Sequence, residues 1–191
     1  MEINMNMYQH IISGFLLLLI SSCNERKEIS AFKIDPYISE KEAKVILDEQ
    51  GYDKIPEEVG TLGNITKLTI SEDANLWSVF PPLEDWDRMI DNAPKNKLTP
   101  AIAKLKSLEY LGLGVLNLTE LPDEFVELKQ LDSLNLTLNF LIIANEIDKL
   151  KKLKNLSYIN ITGNRIDTTQ ILQWQKENPN LEIIYKFNYA E

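Results

Sequence analysis

Apolar residues along this chain recur at intervals that change from those of a helix to those of a strand. In residues 121–136, LPDEFVELKQLDSLNL, the first apolar residues are three or four positions apart, and the last two, Leu134 and Leu136, are two apart. Gaps of three and four place side chains on one side of a helical segment, whereas a gap of two places them on one face of a strand. The pattern predicts a short helical turn followed by a strand, a unit too small to offset its own chain entropy.

The same spacing recurs elsewhere in the chain. Residues 98–113 and residues 55–70 carry all six apolar positions at the same offsets. Residues 146–161 carry five of the six, and the first position is the polar Glu146. Copies that each need a neighbour to bury their apolar side predict a stack of repeats around one continuous core.

A poorer copy lies in the gap between the first two. Residues 76–91 match five of the six positions, and with them the repeats would begin 21, 22, 23 and 25 residues apart. We interpret these residues as a degenerate second repeat in a set of about five. The alternative is an insertion that bulges from the stack at Pro81 and Pro82.

Two stretches resemble the leucine-rich repeat, whose signature is L-x-x-L-x-L-x-x-N-x-L. The signature is filled by Leu131, Leu134, Leu136, Asn139 and Leu141, and again by Leu156, Ile159, Ile161, Asn164 and Ile166. The resemblance covers roughly residues 55–187, with the repeats themselves over 55–166. It implies an α/β leucine-rich repeat solenoid with a short parallel sheet on the concave face and helical or 3-10 segments on the convex face. It also implies that Asn139 and Asn164 hydrogen-bond the backbone where each strand bends away, a role that Leu116 would leave empty in its repeat.

The two ends of such a stack need caps. We expect residues 37–54 to form an N-terminal capping helix, because Ser39 and Glu42 have capping-box spacing and Gly51 suits a helix end. Its apolar side would comprise Ala43, Val45, Ile46 and Leu47.

Residues 167–191 are expected to form the C-terminal cap. A helix is predicted from about Thr169 to Glu177, with Ile171, Leu172 and Trp174 covering the last repeat. Leu181 and Ile184 continue the repeat spacing once more.

The N-terminal segment resembles a bacterial lipoprotein signal. Residues 11–23, IISGFLLLLISSC, hold an apolar run too short to cross a bilayer and end in a lipobox-like sequence before Cys23. The resemblance implies that residues 1–22 are removed, that Cys23 carries the lipid, including palmitate-type acyl chains, and that residues 23–36 form a tether. The segment departs from the pattern because no Lys or Arg precedes the apolar run. An ordinary signal peptide or a plain anchor is the alternative.

Composition limits the chemistry of the 191 residues. A net charge of −9 disfavours general binding to nucleic acid. The sole histidine, His10, lies in the segment expected to be removed, and the sole cysteine, Cys23, would be acylated. Ser-His-Asp and Cys-His catalysis are thereby excluded, and a zinc site is disfavoured. We expect no enzyme activity, no cofactor and no metal.

Two charged clusters remain. The lysines at 149, 151, 152 and 154 form either a solvated convex surface or an anion-binding patch. The acids of residues 84–92 fail the helix-loop-helix calcium motif, because Met89 and Ile90 occupy positions that need a ligand and a glycine.

The expected working surface is the concave face of the sheet, made of the residues that alternate with the buried strand positions. These partner-binding candidates are Lys67, Thr69, Ser71, Tyr110, Gly112, Ser133, Asn135, Thr137, Tyr158, Asn160 and Thr162, with Gly114 beside them and with Arg88, Ile90 and Asn92 if residues 76–91 form a repeat. The set is polar and sparsely charged, its two tyrosines are typical interface anchors, and its glycines would leave a dip.

These features predict a monomeric, membrane-anchored, non-enzymatic repeat module that binds a protein partner. We expect it in the bacterial cell envelope, at the outer rather than the inner membrane. One alternative is an envelope carbohydrate- or calcium-binding protein that uses the aromatic and acidic residues 77–91. Another is a eukaryotic secreted repeat protein, since N-x-[ST] triplets begin at Asn64, Asn117, Asn135, Asn155 and Asn160.

Overall fold

A computed structural model describes residues 41–47, 54–72 and 96–186. The expected signal segment, the tether with Cys23 and residues 76–91 lie outside the described residues. Six strands form one sheet in sequence order, and each pairs in parallel with the next. They are β1 Glu42–Ile46, β2 Lys67–Ser71, β3 Tyr110–Gly112, β4 Ser133–Asn135, β5 Tyr158–Asn160 and β6 Glu182–Ile184.

The register of the sheet places equivalent apolar residues side by side. Leu68 pairs with Leu111, Leu111 with Leu134, and Leu134 with Ile159. All four side chains are fully buried in one core that runs through the described repeats. The prediction that the repeats share one apolar interior is confirmed, and the architecture is an α/β leucine-rich repeat solenoid.

Short helices return the chain along the other side of the core. These are 3-10 helices at Glu57–Thr61, Pro100–Lys104 and Asp123–Glu127, then α1 at Ile143–Leu150 and α2 at Thr168–Glu177. Val59, Ile102 and Phe125 are the fully buried side chains of the three 3-10 helices. Gly60 lets the first two approach closely, since a Cβ at Gly60 would lie 2.6 Å from the carbonyl oxygen of Ala101.

The N-terminal cap differs from the sequence prediction. Glu42–Ile46 form strand β1 rather than part of a helix over 37–54, and Ala43, Val45 and Leu47 are buried. That alternation is the period of a strand, and β1 also gains a full ladder with β2. Ser39 and Gly51 lie outside the described residues.

The described sheet has no place for a strand of residues 76–91 between β2 and β3. β2 pairs directly with β3, Lys67 with Tyr110 and Thr69 with Gly112, so the sheet holds no strand between them. The first and second 3-10 helices also pack against each other. The described part of the stack ends at Glu72 and resumes at Asn96, which bridges to Leu118, and the residues between them lie outside the described ranges.

At the C-terminal end, the predicted helix is confirmed as α2, with Ile171 and Trp174 buried as expected, whereas Leu172 is exposed and does not cover the last repeat. Asp167 caps it by accepting a hydrogen bond from the Thr169 N–H at 2.9 Å. The last strand is one residue out of the predicted phase, because Ile183, not Ile184, pairs with Ile159 and points inward.

The two asparagines of the signature perform the predicted role. Asn139 Nδ2 donates to the carbonyl oxygens of Leu113 at 2.8 Å and Leu136 at 2.9 Å, and its Oδ1 accepts from the N–H groups of Leu116 and Leu118. Leu116 occupies the asparagine position of the preceding repeat and cannot bond the carbonyl of Leu113 through its side chain. Asn139 bonds that carbonyl instead.

Asn164 acts in the same way in the next repeat. Its Nδ2 donates to the carbonyl oxygens of Leu136 at 2.8 Å and Ile161 at 3.0 Å, while its Oδ1 accepts from the Leu141 N–H. Each asparagine therefore joins its own turn to the turn before it.

Glu146 occupies an apolar position of its repeat and is nevertheless buried. Its Oε2 lies 3.0 Å from Lys149 Nζ and accepts a hydrogen bond from the Leu121 N–H at 3.3 Å. Lys149 in turn donates to the Leu121 carbonyl. A buried carboxylate requires such partners, and this one fastens α1 to the preceding turn.

Candidate functional site

The outward side chains of the six strands define the open sheet face, which corresponds to the face expected to be concave. They form two rows across the strands. The first row is Glu42, Lys67, Tyr110, Ser133, Tyr158 and Glu182, and the second is Lys44, Thr69, Gly112, Asn135, Asn160 and Ile184. The register thus brings the predicted strand residues into one surface.

Charge on the open sheet face is confined to its ends. Lys67 Nζ lies 2.6 Å from Glu42 Oε1, and the hydrogen bond and charge of Glu42 raise the pKa of Lys67. Glu182 lies at the opposite end, on β6. Strands β3 to β5 contribute no charged side chain to either row, so the centre of the surface is neutral.

Tyr110 covers part of the expected dip. A Cβ at Gly112 would lie 3.2 Å from the Tyr110 hydroxyl oxygen and 3.2 Å from Thr69 Oγ1, and Gly112 is buried. Gly112 therefore provides room for the tyrosine side chain rather than an empty depression. Gly114 remains half-buried beside Asn135.

Asn135 and Asn160 lie side by side in the second row, each half-buried at the end of a strand. Asn135 Oδ1 accepts hydrogen bonds from the Thr137 N–H at 2.9 Å and the Thr137 hydroxyl at 2.6 Å. Asn160 Oδ1 accepts from the Thr162 N–H at 3.0 Å. Both amides thus close the turn in which the chain leaves the sheet.

The prediction of an outward position is wrong for Thr137 and Thr162. Their exposed fractions are 7% and 4%. Both residues follow the last residue of their strand, where the chain already turns toward the core and the strand alternation no longer applies. Ser71, at the end of the longer strand β2, is half-buried.

The sequence reasoning missed the orientation of the two amides. The available signal was the N-x-T triplet at residues 135–137 and 160–162, in which the side chain of Asn can bond the backbone two residues on. The same triplets also fit the N-glycosylation pattern, which does not report the orientation of the amide.

The lysine cluster is largely engaged within the protein. Lys149 contacts Glu146, and its Nζ lies 3.6 Å from Asp123 Oδ1. Lys151 pairs with Glu177 at 2.7 Å. These partners favour the solvated-surface interpretation over an anion-binding patch.

The described residues also bear on metal binding and on membrane spanning. Within residues 41–47, 54–72 and 96–186, no group of three or more potential metal ligands occurs. The helices in these ranges are all too short or too polar to cross a bilayer. Cys23 and the acids of residues 84–92 lie outside them.

Solved structures similar to this chain include two bacterial proteins. One is a leucine-rich repeat protein of Leptospira interrogans, at 25% identity and a TM-score of 0.45, covering 70% of this chain and 34% of that one. The other is an internalin of Listeria monocytogenes, at 17% identity and a TM-score of 0.47, covering 72% and 32%. The chain spans about a third of the length of either protein. No family model and no curated protein matches the sequence.

Proposed function

We propose that this chain is a non-enzymatic interaction module that binds a protein partner through the open sheet face. The observation that carries the proposal is the neutral centre of that face, where Tyr110, Ser133 and Tyr158 lie in one row on adjacent strands. Tyrosines bury a large area at low entropic cost, and charged residues are depleted at the centres of interfaces.

The experiment is affinity capture with the full chain and two matched double variants. Tyr110→Ala with Tyr158→Ala removes both anchors from the open sheet face. Ile142→Ala with Leu172→Ala removes two exposed apolar side chains of the helical side instead. The proposal expects the tyrosine variant to lose the captured partner and the control to retain it. Equal recovery by both variants would rule out the open sheet face as the binding surface.

We also propose that Cys23 carries a lipid anchor to a bacterial envelope membrane, the outer membrane in particular. The proposal rests on the apolar run and lipobox-like ending of residues 11–23. Mass spectrometry of the mature protein should find an acylated N-terminal Cys23. Separation of the two membranes should then place it in the outer one. A mature chain that begins elsewhere, or a Cys23→Ser chain that stays with the membrane, would contradict lipidation.

A further inference from the structure

The amides of Asn135 and Asn160 have a fixed orientation. A backbone N–H can only donate, so the side-chain atom that bonds Thr137 N, or Thr162 N, must be the amide oxygen. The NH₂ group is then the other end of each amide. Among the described residues, neither Nδ2 atom has a protein acceptor.

The two NH₂ groups form a pair of donors on the neutral part of the open sheet face. Asn135 and Asn160 are register partners on neighbouring parallel strands, about 4.8 Å apart. The side chains preceding them in the first row are those of Ser133 and Tyr158. A Cβ at Gly114 would lie 4.0 Å from Asn135 Nδ2, so this glycine leaves space beside the donor.

The chemistry of this pair selects the partner. Amide donors need acceptors, and strands β3 to β5 place no cation in either row beside them, which disfavours an anionic ligand. Sugar hydroxyls need acceptors as well as donors, but Asn135 Oδ1 already accepts two hydrogen bonds and Asn160 Oδ1 already accepts one. The carbonyl oxygens of an uncharged peptide segment match these two donors, and they bring no charge to the neutral rows.

We infer that the open sheet face recognises an uncharged peptide segment of its protein partner, whose carbonyl oxygens accept hydrogen bonds from Asn135 and Asn160 between the tyrosine anchors. The inference rests on the function proposed above and adds the chemical class of the bound segment. It requires binding that depends on amide donors and varies little with salt.

The test selects binders from a displayed library of random linear peptides on the full chain. The affinity of each selected peptide is then measured at about 0.05 M and about 0.5 M sodium chloride, which differ strongly in charge screening. Asn135→Asp with Asn160→Asp keeps the oxygen for each threonine N–H but removes both donors. Asn145→Asp with Gln175→Glu adds the same charge at exposed positions on the helical side.

A second variant separates donor loss from added charge. In Asn135→Ser with Asn160→Ser, a hydroxyl can still accept from the threonine N–H, but no NH₂ group reaches outward. Thermal melts establish that each variant is folded.

The expected peptides are uncharged, with affinity nearly independent of salt. Both asparagine variants should lose about tenfold or more in affinity, as two lost hydrogen bonds imply, and the control should lose nothing.

Peptides that bind through charge, or that need the tyrosines but tolerate both asparagine variants, overturn this inference and leave the proposed function standing. Peptides that tolerate the Tyr110→Ala, Tyr158→Ala variant contradict both. A library without binders, or glycans that bind instead, also overturns the inference.

Discussion

At the scale of single residues, the identity of one residue determines whether the turn after each strand is sterically strained. Three residues after β3, β4 and β5, the backbone adopts a positive φ at Val115, Leu138 and Gly163. Only glycine adopts this conformation without a steric cost, so the same turn is strained in two repeats and relaxed in the third.

Val115→Gly is expected to stabilise the protein. The change removes a steric cost of about 1–2 kcal/mol for a β-branched residue at φ 57°. It also gives the unfolded chain more freedom, which lowers stability by about 0.4–1 kcal/mol. The free energy of unfolding, measured with urea, should therefore rise by about 0.5 kcal/mol. Val126→Gly is the control, because Val126 is not among the positive-φ residues, and it should destabilise. A loss of stability in Val115→Gly as large as in the control would contradict the strained turn.

Gly163→Ala is expected to destabilise more than Gly63→Ala. Both glycines have positive φ, and an alanine there costs about 1 kcal/mol. A Cβ at Gly63 would meet nothing within 4 Å, whereas one at Gly163 would lie 3.2 Å from Leu138 Cα. Overpacking against Leu138 should bring the total to about 2–3 kcal/mol. Equal thermal destabilisation of the two variants would show that these turns do not pack on each other.

At the scale of elements, polar pairs link each turn to the next along the surface. Lys97 Nζ lies 2.6 Å from Glu120 Oε1, and Lys106 Nζ lies 3.6 Å from Glu127 Oε2. Such exposed pairs contribute little to stability, but they report which turns are neighbours.

Lys97→Met is expected to raise the pKa of Glu120 toward its ordinary value. The hydrogen bond and the charge of Lys97 hold that pKa below the ordinary value, so the small stabilisation is present above the unfolded-state pKa and is lost as pH falls through the lowered one. An NMR titration of the Glu120 carboxyl carbon measures the change. Lys104→Met, an exposed lysine on the second 3-10 helix, should leave the pKa where it is. An unchanged titration in Lys97→Met would mean that the two turns do not meet.

The elements that repeat were predictable, because each apolar residue recurs at a fixed offset and only stacking buries it. β1 was not, since the apolar residues from Ala43 to Leu47 fit one side of a helix as well as the face of a strand. Residues 76–91 also match most of the repeat spacing, and spacing alone could not reveal that β2 pairs directly with β3.

The outward positions of the strand residues could be predicted, because they depend only on the alternation of side chains along each strand. The burial of Thr137 and the orientation of the Asn135 amide did not, because both depend on hydrogen bonds made in the turn beyond the strand.

At the scale of the molecule, the described residues form one stack in which β2 pairs directly with β3 despite a long connection between them. Seven residues, 114–120, join Leu113 to Leu121, whereas 27 residues, 71–97, join the equivalent Ile70 to Leu98. The sheet and the helices on either side of this longer connection are nevertheless in direct contact. The continuity of that core across the junction is the claim on which the open sheet face depends.

The most direct test is a chain that lacks residues 74–93, in which the two connections have equal length. If β2 and β3 are neighbours, the deletion should keep the circular dichroism of the full chain and a single unfolding transition. Shortening the connection should itself add about 1 kcal/mol by reducing loop-closure entropy. If those residues were a repeat of the stack, their removal would expose the cores of both neighbours, and the shortened chain would lose cooperative unfolding.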